Sequence, residues 1–236
     1  MNKTVMAVQK ELRALGDKKR ADHSQRFFKT GEGEYGEGDR FLGIRVPVLR
    51  QLAKKHRGIS IEEAFLVLVS PFHEQRLLAL FLLIDIFKRA GEKDKKTLYT
   101  LYLDNAKFIN NWDLVDSSAE HIVGAYLHDR DKLPLYDLAR SNDLWERRIS
   151  ILSTFHFIKH MEFADALNIS EILLDDKEDL IHKAVGWMLI EIGKRNIQEE
   201  ERFLKKHYRH MPRTMLRYAI ERFEEGKRKA YLTGDI

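Results

Sequence analysis

Apolar residues recur at intervals of three and four through most of the chain, and no stretch alternates convincingly with the two-residue period of a strand. The pattern predicts helices over 2–15, 17–29, 47–56, from 60 onward, 71–89, from the 91–94 break to about 104, and 112–128. It continues over 131–141, 144–159, 162–174, 179–195, 198–208 and 212–224. Start signals agree with these bounds. Pro47 suits a first helical position, Ser60-x-x-Glu63 is a capping box, and Asp143-x-x-Glu146 resembles one. Asn111 is placed to cap the helix that Trp112 opens, and Asp113 falls in its first turn, where the helix dipole favours a negative charge. The fold class is all-α.

One segment cannot be helical. Gly31, Gly33, Gly36 and Gly38 alternate with Glu32, Glu34, Glu37 and Asp39, a spacing that matches the phosphate-cradling glycine pattern. No strand precedes it, and four acidic side chains repel phosphate, so 31–39 reads as a mobile acidic loop.

Beyond that loop the helices pair, and a repeat emerges. Arg76, Asp116, Arg148, Lys183 and Arg217 lie early in the second helix of successive pairs, roughly 32–40 residues apart, with Arg50 as an earlier member. Pairs at this spacing stack into an α-solenoid whose corresponding residues line one concave surface. The predicted ladder holds one carboxylate, Asp116, among cations. Arg148 is flanked at helical spacing by Leu144, Trp145, Ile151 and Leu152, so its charge rises through an apolar surround. An internal salt bridge within the stack is the competing reading. Trp112 lies four residues from Asp116 and Trp187 four from Lys183, so each indole shares a face with a ladder residue, while Trp145 reads as a core anchor. Gly186 is costly inside a helix and points to close approach of a backbone or ligand.

Composition narrows the chemistry. With no cysteine there are no disulfides, thiolate zinc sites or cysteine nucleophiles, which suits a reducing cytoplasm. The N-terminal residues lack the apolar core of a signal peptide, and no run approaches a membrane span. A net charge of +4 is a mild basic bias toward a polyanionic partner. His156-x-x-x-His160 and His207-x-x-His210 have metal-ligand spacing, but no nearby carboxylate completes a motif. They read as ordinary surface or core histidines, and neither a metal site nor a cofactor is expected.

Four motifs in order carry a family resemblance: Phe41-Leu42-Gly43-Ile44-Arg45-Val46-Pro47, Trp112-Asp113-x-Val115-Asp116, Leu144-Trp145-x-x-Arg148 and Lys183-Ala184-x-Gly186-Trp187. The chain resembles the HEAT-like-repeat alkylpurine DNA glycosylases of the AlkD type, found mainly in bacteria, from about residue 5 to 225. The resemblance implies a right-handed solenoid of HEAT-like hairpins with a concave basic groove. It implies one domain over 1–236: N-terminal helices to 30, the loop at 31–39, and repeats from about 41 to 225. Asp116 would be the catalytic carboxylate, Trp112 and Trp187 would contact the sugar at the lesion, and Arg148 would hold the nearby phosphate. Arg45 and Arg50 would meet the DNA backbone, beside the ladder cations Arg76, Lys183 and Arg217. The chain departs from the family pattern at Asn111, where members carry another tryptophan, at Arg45, which replaces a neutral polar residue, and in the 31–39 insertion.

The implied activity is excision of cationic N3- or N7-alkylated purines from duplex DNA, as base excision repair, by a cytoplasmic, nucleoid-associated monomer. An alkylated purine leaves as a neutral base and needs little acid catalysis, and the sugar left behind is oxocarbenium-like. A carboxylate stabilises that cation and indole faces add cation–π attraction. Two other readings stand beside it: a non-catalytic binder of damaged or branched DNA, and a peptide-binding solenoid scaffold.

Overall fold

In the computed structural model, which describes residues 2–236, the elements are helices joined mostly by short turns, with one long irregular connection over 28–45. The chain forms two compact units, one ending at Ser118 and the other spanning Ala119–Ile236. Among the described residues no helix is long and apolar enough to cross a membrane.

The first unit contains α1 (Lys3–Ala14), α2 (Lys18–Phe27), α3 (Val46–Lys55), α4 (Ile61–Leu68), α5 (His73–Arg89), α6 (Glu92–Asp104) and α7 (Trp112–Asp116). Their starts follow the sequence signals. Ser60 and Glu63 form the complete capping box of α4, Pro47 sits in the first turn of α3, and Asn111 caps α7 by accepting from the Trp112 N–H. α5 is the core helix, with α3 and α4 packed on it and α1 against α4. From Leu77 to Ile84 every side chain of α5 is buried, as expected of a helix apolar all round. Its first turn, His73-Glu74-Gln75-Arg76, is buried too, so these polar groups need partners inside the protein.

The second unit contains a π-helical turn (Glu120–Gly124) followed by α8 (Ala125–Leu127), α9 (Leu133–Ala139), α10 (Leu144–Ser153), α11 (Phe155–Lys159), α12 (Ala164–Ile172), α13 (Asp179–Gly193), α14 (Ile197–His207), α15 (Arg213–Ala219) and α16 (Glu225–Thr233). α13 is its centre, contacting α10, α14 and α15. Gly186 is where α15 approaches: a Cβ there would lie 2.4 Å from the Tyr218 Cβ and 2.8 Å from the Met215 carbonyl oxygen. Backbone approach, one of the two causes expected for this glycine, is the one observed.

Two expected helices are divided, and one further helix appears. The helix predicted over 112–128 is interrupted after α7. Ser118 Oγ donates to the Leu114 carbonyl at 2.6 Å and accepts from Tyr102 at 2.8 Å, a side-chain bond that competes with the helical ladder. The helix predicted over 144–159 divides at Thr154, whose hydroxyl donates to the Ile151 carbonyl at 2.6 Å. α16 lies beyond the last predicted helix. Its polar run hides one anchor, the buried Tyr231, which packs edge-on against Tyr208 and Phe223.

Two titratable groups in the second unit are displaced by burial. Glu200 is 2% exposed, and its Oε1 finds no hydrogen-bond donor among the described residues. Burial, reinforced by the charge of Glu201, pushes its carboxyl up to about 8. An acid whose pKa is raised by folding contributes stability that is complete below its unfolded value and lost as pH rises through about 8. Glu200→Gln keeps the shape without the titration. Urea melts are expected to show the variant gaining on wild type between pH 6 and pH 9, and an equal difference at both would contradict the assignment. His156 is likewise held neutral, pushed down to about 4 by burial and by the neighbouring rings of His160 and His128.

Candidate functional site

Trp112 and Asp116 both lie on α7, half-buried. Trp112 stacks on Phe28 with centroids 5.2 Å apart, and Phe28 stacks in turn on Phe41 at 4.9 Å. Phe27 meets the indole edge-on at 6.2 Å. One indole face is therefore covered by the end of α2. The charge of Asp116 adds to burial in raising the Tyr102 hydroxyl above its ordinary range.

The other carboxylate of α7 has a different fate. Asp113 Oδ2 accepts from His73 Nε2 at 2.8 Å, and Asp39 Oδ2 accepts from His73 Nδ1 at 2.9 Å. A ring that donates from both nitrogens is an imidazolium. Burial opposes its charge, but Asp113 and Asp39 outweigh burial and raise the pKa to about 9. Asp39 also accepts from the Arg76 guanidinium and from Asn111 Nδ2 at 3.1 Å. Its own carboxyl is lowered, burial being overcome by His73 and Arg76. His73 thus neutralises Asp113.

This network corrects two expectations. The segment 31–39 is not merely a mobile insertion, because its last residue, Asp39, is 4% exposed and joins α5 to α7. Arg76 was expected to face phosphate. It is 5% exposed and paired with Asp39, because an arginine in the first turn of the core helix faces the interior, where an unpaired charge is expensive.

Glu74 organises the Phe41 motif. Its carboxylate accepts the backbone N–H groups of Leu42, Gly43 and Ile44 at 2.8, 2.7 and 3.1 Å. Gly43, with φ +79°, lies where a Cβ would be 2.2 Å from the Asp17 carbonyl oxygen, so the motif passes close under the start of α2. Arg20 seals the contact by donating to the Gly43 carbonyl at 2.8 Å. The turn leaves Arg45 exposed at the start of α3, and Arg50, one turn on, is exposed over the Phe81 ring at 4.4 Å. A cavity of about 340 Å³ opens here, walled by Phe28, Phe41, His73, Glu74 and Asp113.

In the second unit, Arg148 is 5% exposed and donates to the Leu180 carbonyl in the first turn of α13. Lys183 is partly exposed and 2.6 Å from Asp179 one turn earlier, and Arg217 is exposed on α15. Trp187 is half-buried, its Nε1 donating to Glu191 at 3.3 Å and its ring 5.7 Å from Phe155. Trp145 is buried, as a core anchor should be.

Asp39, His73, Glu74 and Phe28 were not singled out from sequence. A signal existed for two of them: His73-Glu74-Gln75-Arg76 is a polar run opening the most apolar helix of the chain.

Residues 8–223 match a family model described as DNA alkylation repair enzyme. Among solved structures, the chain is similar to one described as a predicted DNA alkylation repair enzyme from Enterococcus faecalis. The TM-score is 0.68 at 16% identity, covering 89% of this chain and 97% of that one. At that identity the likeness carries the fold alone. No curated protein matches in sequence.

Proposed function

The chain belongs to the DNA alkylation repair enzyme family, and on that premise we propose that it is a glycosylase that excises cationic N3- or N7-alkylated purines from duplex DNA. The observation that carries the reading is the placing of Asp116 on α7, one turn from an indole stacked on Phe28. Asp116 is the carboxylate assigned to the oxocarbenium-like sugar, because a positioned charge stabilises a developing one most when it need not reorganise. Trp112 presents its remaining aromatic surface beside it. The sugar contact of Trp187 and the phosphate contact of Arg148 follow the family resemblance.

The cations suited to phosphate by exposure are Arg45, Arg50, Lys183 and Arg217. Each phosphate contact removed is expected to reduce the slope of log affinity against log salt by about one unit. Lys183→Gln and Arg217→Gln should both do so on lesion-containing and normal duplexes alike, and unchanged slopes would remove these residues from the interface. Arg76→Gln belongs to the interior, and its expected effect is loss of stability.

The decisive assay is single-turnover release of 7-methylguanine from methylated duplex DNA. One observation favours the non-catalytic reading: Asn111, where the resemblance expects another tryptophan, is fully buried and bonded to Asp39. Duplex binding without base release would support that reading. Absence of salt-dependent duplex affinity would leave the peptide scaffold.

A further inference from the structure

The second unit brings together three imidazoles that the sequence scatters. His128 follows α8, while His156 and His160 stand one turn apart on α11 and at its end. The ring centroids are 4.4 Å apart for His128 and His160, 4.5 Å for His156 and His160, and 5.1 Å for His128 and His156. One nitrogen from each ring lies within 4.8 Å of the other two. We propose that His128, His156 and His160 form a binding site for a zinc-type divalent transition metal.

Hydrogen bonds around the rings point the same way. His160 Nδ1 is 2.7 Å from the His156 carbonyl oxygen, which can only accept, so Nδ1 carries the proton and Nε2 of the neutral ring keeps a lone pair. His128 Nε2 is 3.1 Å from Glu162 Oε1, and donation to that carboxylate leaves the lone pair on Nδ1. Rings oriented by a carbonyl and by a carboxylate are the outer-shell arrangement of metal-binding histidines. Glu162 is turned back toward His128 by Met161, a non-glycine residue at φ +66°. Gly124 admits the approach of the two segments: a Cβ there would be 2.2 Å from the Ser153 carbonyl oxygen and 2.9 Å from the His156 Cβ. The sequence concealed this arrangement because the pair at 156 and 160 lacks its third ligand until the chain folds.

Donor chemistry selects the metal class. Three imidazoles suit Zn²⁺, Ni²⁺ or Cu²⁺ and not Mg²⁺ or Ca²⁺, which take oxygen. In a tetrahedral site with Zn–N of about 2.0–2.1 Å, ligand nitrogens are roughly 3.4 Å apart. The rings need close by only about 1.5 Å, within reach of χ rotation for side chains that are half-buried or exposed. Three protein ligands leave a fourth position for water.

The test is calorimetric titration of the tag-free full chain with Zn²⁺ alone, alongside Co²⁺ absorption. One equivalent per chain is expected, at roughly micromolar Kd or tighter, with the intense visible bands of tetrahedral Co²⁺. His156→Ala and His128→Gln should each weaken binding at least about 100-fold, and Glu162→Gln about 10-fold. His210→Gln, on a ring outside the cluster, should bind as wild type. Wild-type Co²⁺ spectra read the ligation without any mutation, so a variant that misfolds does not decide the outcome. Weak octahedral bands, or Zn²⁺ binding indifferent to both His156→Ala and His128→Gln, would overturn the proposal.

Discussion

Asp116→Asn is expected to slow single-turnover release of 7-methylguanine by roughly 10²–10³ while duplex binding is unchanged or tighter. The substitution keeps the shape of the side chain and removes its charge. In a site that attracts phosphate, a carboxylate is repulsive, so a protein that only binds DNA gains from losing it. An enzyme that uses the carboxylate against a sugar cation loses its rate and keeps its affinity. Binding and excision therefore move apart in one reading and not in the other. Excision surviving near the wild-type rate would sink the assignment. A companion Asp113→Asn addresses the neighbouring acid. Because Asp113 is engaged by His73, its replacement is expected to lower the melting temperature first and to affect excision through the position of α7. A loss of excision with unfolding for Asp116→Asn would make that residue structural too.

Asp39→Ala is expected to destabilise the protein by about 3–5 kcal/mol, read as a lower urea midpoint, because it leaves two buried cations short of their shared anion. Arg76 and His73 are 5% and 2% exposed, so water cannot replace the lost carboxylate. The same cluster sets a pH limit. His73 has a folded pKa raised to about 9, so its contribution is complete below the unfolded value near 6.5 and disappears as pH rises through about 9. Removing Asp39 should also shift that alkaline loss to lower pH. The rest of the loop is expected to matter far less. Gln25 Nε2 donates to Thr30 Oγ1 at 2.8 Å and to the Asp39 carbonyl at 2.6 Å, so one amide already spans the two ends. Replacing 31–37 by a short glycine–serine linker, with Asp39 kept, should cost no more than about 1 kcal/mol. An equal loss from the linker variant and from Asp39→Ala would show that the loop acts as a whole.

The difference between Asp39 and its neighbours shows where local reading stops. Glu32, Glu34, Glu37 and Asp39 are equivalent in a one-dimensional charge pattern, and Glu34 and Glu37 do remain local, accepting backbone N–H groups inside their own loop. Asp39 differs only because His73, Arg76 and Asn111, all more than 30 residues away, converge on it. Arg76 illustrates the converse. Repeat spacing placed it on a surface ladder, yet a shift of facing within one helical turn puts a residue on the other side, and spacing alone does not resolve that shift.

What the sequence by itself determined is what depends on neighbours within a few residues. Helical periodicity, the Ser60 box, the Asn111 cap and the placing of Trp112, Asp113 and Asp116 on one helix all follow from local chemistry. What only the tertiary structure decided is which charges are spent inside the protein: Asp39 on Arg76 and Asp113 on His73. The physical reason is desolvation. Burying a charge is costly enough to enforce a partner, but the partner is set by three-dimensional packing, and sequence distance carries almost no record of it.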